Sequence, residues 1–409
     1  MNNYRQINRF ASRCVLSSRG FSLLELVFVM ALFMIIIIIS SQAFNKILSI
    51  SSQQTKSSES NVQGIIGLEM MRVDLEHAGY GLPWKLDFVA NFPEGDAAAN
   101  YIAPGIATEG FNDTNNTTSD TNKVPRAVLA AKSTSSVPVE RDRDYLVIKS
   151  VLAGTSDTVR KWTYVQGVGT DSRLKAWGTN DFKAGERVIT IDSRTKKLIG
   201  TGTAAASFSY PITAQMLPPP ATPLATPLDP PTAAFQPQQD TDVFVAYAVS
   251  ESTDLRAPYN RVDYFVKRPT TAGSMPTRCA EGTGILYKAV MNQSNGAFPP
   301  SPLIECVADM QVIFTLDTDG DGAADLHVGE DGLSALTAKE IRSQLKEIRV
   351  YIVAHEGGKD SNYTHSASSI YVGEFGNGRT LDLTLFGADY KNYRWKMYKL
   401  VVAPKNINN

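Results

Sequence analysis

Cysteine is scarce here: Cys14, Cys279 and Cys306 are the three copies in 409 residues. A fold stapled by many disulfides is thereby excluded. Histidine is nearly as rare, and His77, His327, His355 and His365 fall at no metal-binding spacing. His355-Glu356 lacks the second histidine of the zinc-protease pattern H-E-x-x-H. No G-x-S-x-G, no phosphate-binding P-loop and no Cys-His pattern appears, so no catalytic constellation is legible. Charge surplus is missing too. Lys and Arg total 40 against 41 Asp and Glu, a net charge of -1. No basic excess points to nucleic acid, and no acidic excess to a solvated, disordered chain. A hydrophobic share of 43% and a charged share of 20% describe a folded protein, long enough for two or three domain-sized units.

The charge is unevenly spread, however. Residues 1–20 carry Arg5, Arg9, Arg13 and Arg19 and no acid; without them 36 basic residues face 41 acidic ones, a net charge of -5. Behind this basic stretch, Phe21 to Ile39 are 19 residues, all apolar except Ser22 and Glu25. As a helix they come close to the ~30 Å hydrocarbon thickness of a bilayer. The arginines hold the N-terminal side in the cytoplasm, so the rest of the chain is exported. A cleaved secretory signal fits less well: Ser40-Ser41-Gln42-Ala43 is only a fair small-residue cleavage site. The helical pattern also continues, proline-free, through residues 44–78, with an apolar stripe at Ile65, Leu68, Met71 and Leu75.

Glu25 is the anomaly in this span. A carboxylate at the centre of a membrane helix costs roughly 2.5 to 3.5 kcal/mol. Glu25 lies about 6 Å along the helix from Phe21, nearer the interface, where that cost is lower. An acid in the first helical turn gains about 0.3 to 1 kcal/mol, which is one account of it. The other is that Glu25 awaits a cation inside the membrane.

R-G-F-S-L-L-E, residues 19–25, followed by the apolar run, resembles the class III signal of type IV pilins and pseudopilins. The resemblance implies cleavage by a prepilin peptidase between Gly20 and Phe21 and N-methylation of Phe21. It makes Glu25 the fifth mature residue, which pairs with the N-terminal ammonium of a neighbouring subunit during assembly. One departure stands out: Gln42 occupies a position where many major pilins carry proline. M-R-V-D-L-E-H-A-G-Y-G (71–81), L-D-T-D-G-D-G-A-A-D (316–325), I-R-V-Y-I-V-A (348–354) and M-Y-K-L-V-V-A-P-K-N (397–406) resemble the large PilW-like minor pilins.

The exported part opens on A-G-Y-G-L-P-W (78–84), whose glycines and proline end the helix. A polar stretch at 111–123 reads as a loop, and its N-x-T triplets as loop composition. Strand-like runs follow at 144–152, 187–192, 243–249, 261–267, 284–290, 310–316, 347–354 and 396–403, with one short helix at Leu336–Lys346. The proline-dense segment 217–231 cannot be a central strand. The expected fold is α+β: a leader at 1–20, a helix at 21–78 with a membrane-spanning first half (21–40), and a β-rich head at 79–409. As in pilins, the helix's second half packs on an antiparallel sheet region with large loop insertions.

Two local features carry chemistry. In an exported chain Cys279 and Cys306 are most simply a disulfide, closing a loop of roughly 27 residues at a gain of about 3 to 4 kcal/mol; two unrelated buried thiols are the alternative. D-T-D-G-D-G-A-A-D matches part of a calcium loop, with Asp317, Asp319 and Asp321 at its first, third and fifth positions. The Ala323 carbonyl and Asp325 follow, but Val328 replaces the bidentate glutamate, so this is not a standard EF-hand. The expected occupant is a structural Ca²⁺, which would offset the repulsion of four aspartates; a simple Asp-Gly turn between strands is the alternative.

Together these residues point to a non-enzymatic minor type IV pilin. By resemblance its partners are prepilin peptidase, other minor and major pilins, the inner-membrane assembly machinery and a PilY-type tip adhesin. It would sit in the bacterial inner membrane with a periplasmic head, and in the pilus at the cell surface after assembly. A type II secretion pseudopilin is the alternative of the same build, though the head is larger than is usual there. A membrane-anchored enzyme or DNA-uptake receptor would need a catalytic cluster or a basic stripe.

Overall fold

In the computed structural model a single α-helix, α1, runs from Leu23 to Glu76. The structure describes residues 22–86, 92–95, 108–113, 124–201, 208–213, 232–251, 254–271 and 273–407. The leader, the Gly20–Phe21 junction, residues 114–123 of the polar stretch and the proline-dense segment 217–231 lie outside them.

The chain divides into two units, up to Gln54 and from Thr55 onward. The described part of the first is the N-terminal half of α1. Every large apolar side chain described there, from Leu23 to Ile50, is exposed. This helix is long and apolar enough to cross a membrane.

The second unit begins with the other half of α1, which buries Gly64, Gly67, Met71 and Leu75 at a spacing of three and four. The stripe therefore starts differently from the sequence expectation, since Ile65 faces outward at 58% exposure. Glycine explains the change. A Cβ on Gly67 would lie 2.9 Å from Ile304 Cγ1, and one on Gly64 would lie 3.2 Å from the Tyr398 hydroxyl. Absent side chains let the helix backbone rest directly on the sheet. Just past the end of the helix Gly79 takes a left-handed conformation, and its N–H donates to the Lys149 carbonyl at 3.0 Å.

The strands begin with β1 (Lys85–Leu86), β2 (Val128–Lys132), β3 (Asp144–Ser150), β4 (Trp162–Gln166), β5 (Arg173–Leu174) and β6 (Arg187–Asp192). Next come β7 (Lys197–Ile199), β8 (Ser209–Pro211), β9 (Phe244–Ser250), β10 (Asn260–Lys267), β11 (Gly284–Val290), β12 (Pro300–Leu316) and β13 (Leu326–Val328). Two short helices, α2 (Glu330–Ser334) and α3 (Ala338–Gln344), precede β14 (Leu345–Glu356), β15 (Ser369–Glu374), β16 (Asn377–Asp382) and β17 (Arg394–Val402). Thr337 caps α3 with a reciprocal bond pair to Glu340.

The larger sheet has the order β17-β14-β12-β11-β10-β3-β2, with β13 on β12, and is antiparallel throughout. The smaller has the order β1-β7-β6-β9-β4-β5, with β8 on β6; its β1–β7 pair is parallel. One core takes in residues of both, including Val262, Met310 and Ile352 from the first and Ile189, Leu198 and Val249 from the second. The β15–β16 hairpin covers a separate cluster around Tyr351, Val372, Leu381 and Trp395. All eight expected strands are present, within an α+β fold.

Candidate functional site

Glu25 stands in the first turn of α1, exposed among exposed apolar residues. Its side chain is presented outward. The Gly20–Phe21 bond that would supply its cationic partner is not among the described residues.

In the head, Cys279 and Cys306 form a disulfide with their Cα atoms 4.9 Å apart. It ties the chain entering β11 to the first half of β12. Beside it His355 of β14 is 2% exposed, and its Nε2 accepts the Ala280 N–H at 2.9 Å. Burial pushes the His355 imidazole down to about 3, so it is neutral.

The Asp-Gly turn joins β12 to β13. Asp317 Oδ1 accepts the Gly320 N–H at 2.7 Å, and Oδ2 accepts the Gly322 N–H at 3.0 Å. Lys346, at the start of β14, reaches the same Oδ2 at 3.0 Å. Lys346, together with these N–H donors, holds the Asp317 carboxyl below the ordinary carboxylate range. Carboxylate oxygens of Asp317, Asp319 and Asp325 lie within 4.8 Å of one another. Asp321 is not in that group; its Oδ1 accepts the Ala323 N–H at 2.7 Å. Asp325 accepts from Thr318 N and Oγ1, each at 3.0 Å. Three convergent carboxylates suit a hard divalent cation. Yet Lys346 already offsets part of the repulsion from which the sequence argued for one.

A third cluster, not anticipated from the sequence, lies inside the head. Lys149 on β3 stands directly opposite Arg261 on β10, and two cross-strand cations repel. Acids from three places offset them. Asn112 pairs with the Gly95 backbone through both amide atoms, bringing Glu94 and Asp113 together from separate segments. Lys149 Nζ donates to Glu94 Oε1 at 2.9 Å, to the Phe111 carbonyl at 2.7 Å, and to Asp113 Oδ2. Asp113 Oδ1 accepts from Arg126 Nε at 2.7 Å, and Arg261 pairs with Asp263 at 2.7 Å. The Tyr259 hydroxyl donates to Glu94 Oε1. The Lys149 and Glu94 side chains are 0% exposed and that of Asp113 is 5%. Burial pushes the Asp113 carboxyl up, but the Lys149 and Arg126 charges outweigh that and hold it low. One signal could have marked the cluster: Lys149 interrupts an apolar strand run whose every position is buried.

Residues 263–406 match the model of the family described as type IV pilus-assembly protein W. Over those residues the chain is similar to that family. The matched region runs from within β10 through β17 and contains the disulfide, the Asp-Gly turn and α3. Helix α1, the smaller sheet and most of the buried ion cluster fall outside it. Among solved structures, a type IV-like pilin from Thermus thermophilus is similar at 14% identity and a TM-score of 0.21, over 37% of this chain and 70% of that one. No curated protein matches the chain. The matched family's description concerns pilus assembly, and the match takes in 144 of the 409 residues.

Proposed function

We propose that this PilW-like chain is a minor type IV pilin, a structural subunit that helps initiate or cap the pilus at or near its tip. The observation that carries the reading is α1: a bare apolar half with Glu25 in its first turn, continuing without a break into a glycine-marked half seated on a β-rich head. In this proposal the Gly20–Phe21 bond is cut and Phe21 methylated before assembly. The subunit waits in the inner membrane with its head in the periplasm, then enters the fibre. There the exposed stripe of α1 replaces lipid contacts with those of neighbouring pilins, and Glu25 meets a neighbour's terminal ammonium. A desolvated ion pair of this kind fixes axial register, because an unpaired carboxylate in an apolar fibre core is costly. The head faces the other minor pilins and a PilY-type tip adhesin. A type II secretion pseudopilin shares the helix logic, but the PilW match favours the pilus.

The test is Glu25→Ala in the native host. Membrane insertion should be unchanged, and recovery of the protein in sheared pili should fall. Wild-type recovery in the fibre fraction would rule out the assembly role. We also propose a structural Ca²⁺ at the Asp-Gly turn, held by Asp317, Asp319 and Asp325 at the modest affinity of extracellular modules.

A further inference from the structure

The buried cluster around Lys149 brings an amine, a carboxyl group and a second acid together without solvent. Each is fixed by its own element: Lys149 by β3, Asp113 by the Arg126 backbone and guanidinium, and Glu94 by the Tyr259 hydroxyl. Tyr259 also stacks near the amine, its ring centroid 5.4 Å from Lys149 Nζ, and Phe111 and Phe298 wall the Arg261 side. We propose that Lys149 and Asp113 condense into an intramolecular isopeptide bond in the folded protein, with Glu94 as the proton relay.

The step balances without a cofactor. Lys149 enters as an ammonium and Asp113 as a carboxylate. Glu94 accepts one proton from Nζ, and the freed lone pair forms an Nζ–Cγ bond to Asp113. Arg126 Nε, 2.7 Å from Oδ1, stabilises the negative charge that grows on that oxygen and leaves it as the amide carbonyl. Oδ2 faces the amine; it receives the proton from Glu94 and a second from Nζ by the same route. The Cγ–Oδ2 bond then breaks, one water departs, and Glu94 is again a carboxylate. Nothing is oxidised or reduced.

Two physical considerations favour the reaction here. Fixed, dry reactants remove most of the entropic and solvent barrier that makes amide formation unfavourable in water. Condensation also removes one buried positive and one buried negative charge. Arg126 and Arg261 then balance Glu94 and Asp263, and the desolvation burden of the ion pair is gone. The bond would fasten the segment before β2 to β3, closing a loop across 36 positions of the chain. The competing state is a permanent ion pair, in which three acceptors satisfy the three N–H groups of an ammonium.

Mass spectrometry of the full-length protein, purified in detergent and with its disulfide reduced, separates the two. The expected mass is one water below the sum of the residues after N-terminal processing. A tryptic digest should contain a branched peptide joining residues 86–123 to 144–160, with no cleavage after Lys149. Glu94→Gln keeps the size of the side chain and one acceptor oxygen for Lys149 and Tyr259 but not the relay, and should restore the full mass while circular dichroism stays native. Asp113→Asn should lose ammonia instead of water. An unreduced wild-type mass, or a water loss that maps to the Asp-Gly pairs at 319–322 as a succinimide, overturns the proposal.

Discussion

Lowering the pH should destabilise the head through His355 in a way a single substitution can isolate. The ring is buried between Tyr393 and Trp395, at centroid distances of 4.5 and 5.3 Å, and its Nε2 is committed to accepting the Ala280 N–H. A proton on Nε2 would set two donors against each other and place a charge in an apolar pocket. The folded imidazole accordingly titrates at about 3, against an ordinary value of 6.5. Because the folded value lies below the unfolded one, the unfolded chain binds more protons as pH falls below 6.5. Stability from this group is complete above that pH and is lost progressively towards pH 3. At pH 5 the loss is about 2 kcal/mol, and it approaches roughly 5 kcal/mol at the acid limit. Paired carboxylates such as Asp317 lose stability in the same direction, so the wild-type curve alone does not isolate the histidine. His355→Gln does: the amide oxygen can accept the same N–H but cannot titrate in this range. Urea denaturation of both proteins at pH 7.5 and 5 should show the wild type losing about 2 kcal/mol more than the variant. Equal losses would refute the argument, whatever the absolute stabilities.

Replacing Cys279 and Cys306 together with alanine frees a loop spanning 27 positions and should cost about 3 to 4 kcal/mol, read as a lower denaturation midpoint at unchanged slope; a loss under about 1 kcal/mol would mean that the surrounding ladder already fixes the loop. Calcium should raise the melting temperature of the wild-type protein and not that of Asp319→Ala, whereas equal response in both would remove the Asp-Gly turn from consideration.

What the sequence disclosed was whatever is periodic. The long helix is legible because nothing between Leu23 and Glu76 breaks it, and the eight strong strands because Val, Ile and Tyr run between turn residues. The misplaced stripe at Ile65 shows the limit of that reasoning. Hydrophobic periodicity ranks side chains, whereas Gly64 and Gly67 are buried for having none. The run expected at 310–316 is the second part of β12, which starts at Pro300; Pro300 and Pro302 hide its first part from a reading by composition. Up to Glu305 that strand has a ladder partner only in β11 among the described residues. A proline there sacrifices no bond on the open side. The β15–β16 hairpin, S-I-Y-V-G-E and N-G-R-T-L-D, carries few apolar residues and so gives little signal in the sequence.

The candidate sites divide along the same line. Glu25 and the four aspartates are conspicuous in sequence because each is chemically out of place among near neighbours. The Lys149 cluster is out of place only in three dimensions: its members come from positions 94, 113, 126, 149, 261 and 263, and no local window contains more than two of them. Folding also changes what a conspicuous motif means. Four aspartates in nine residues argue for a cation while the chain is a string, but Lys346 arrives from the far side of α3 to take up part of that charge. The calcium reading thus rests on three converging carboxylates rather than on repulsion. Conversely, a lysine that would count as one interruption in a strand becomes, once Glu94 and Asp113 are brought to it, an amine held against an acid in a dry core. Burial of that arrangement needs a reason, because a paired ion cluster in an apolar interior is seldom worth more than the apolar residues it displaces. Covalent closure, which converts two buried charges into one neutral amide, supplies such a reason.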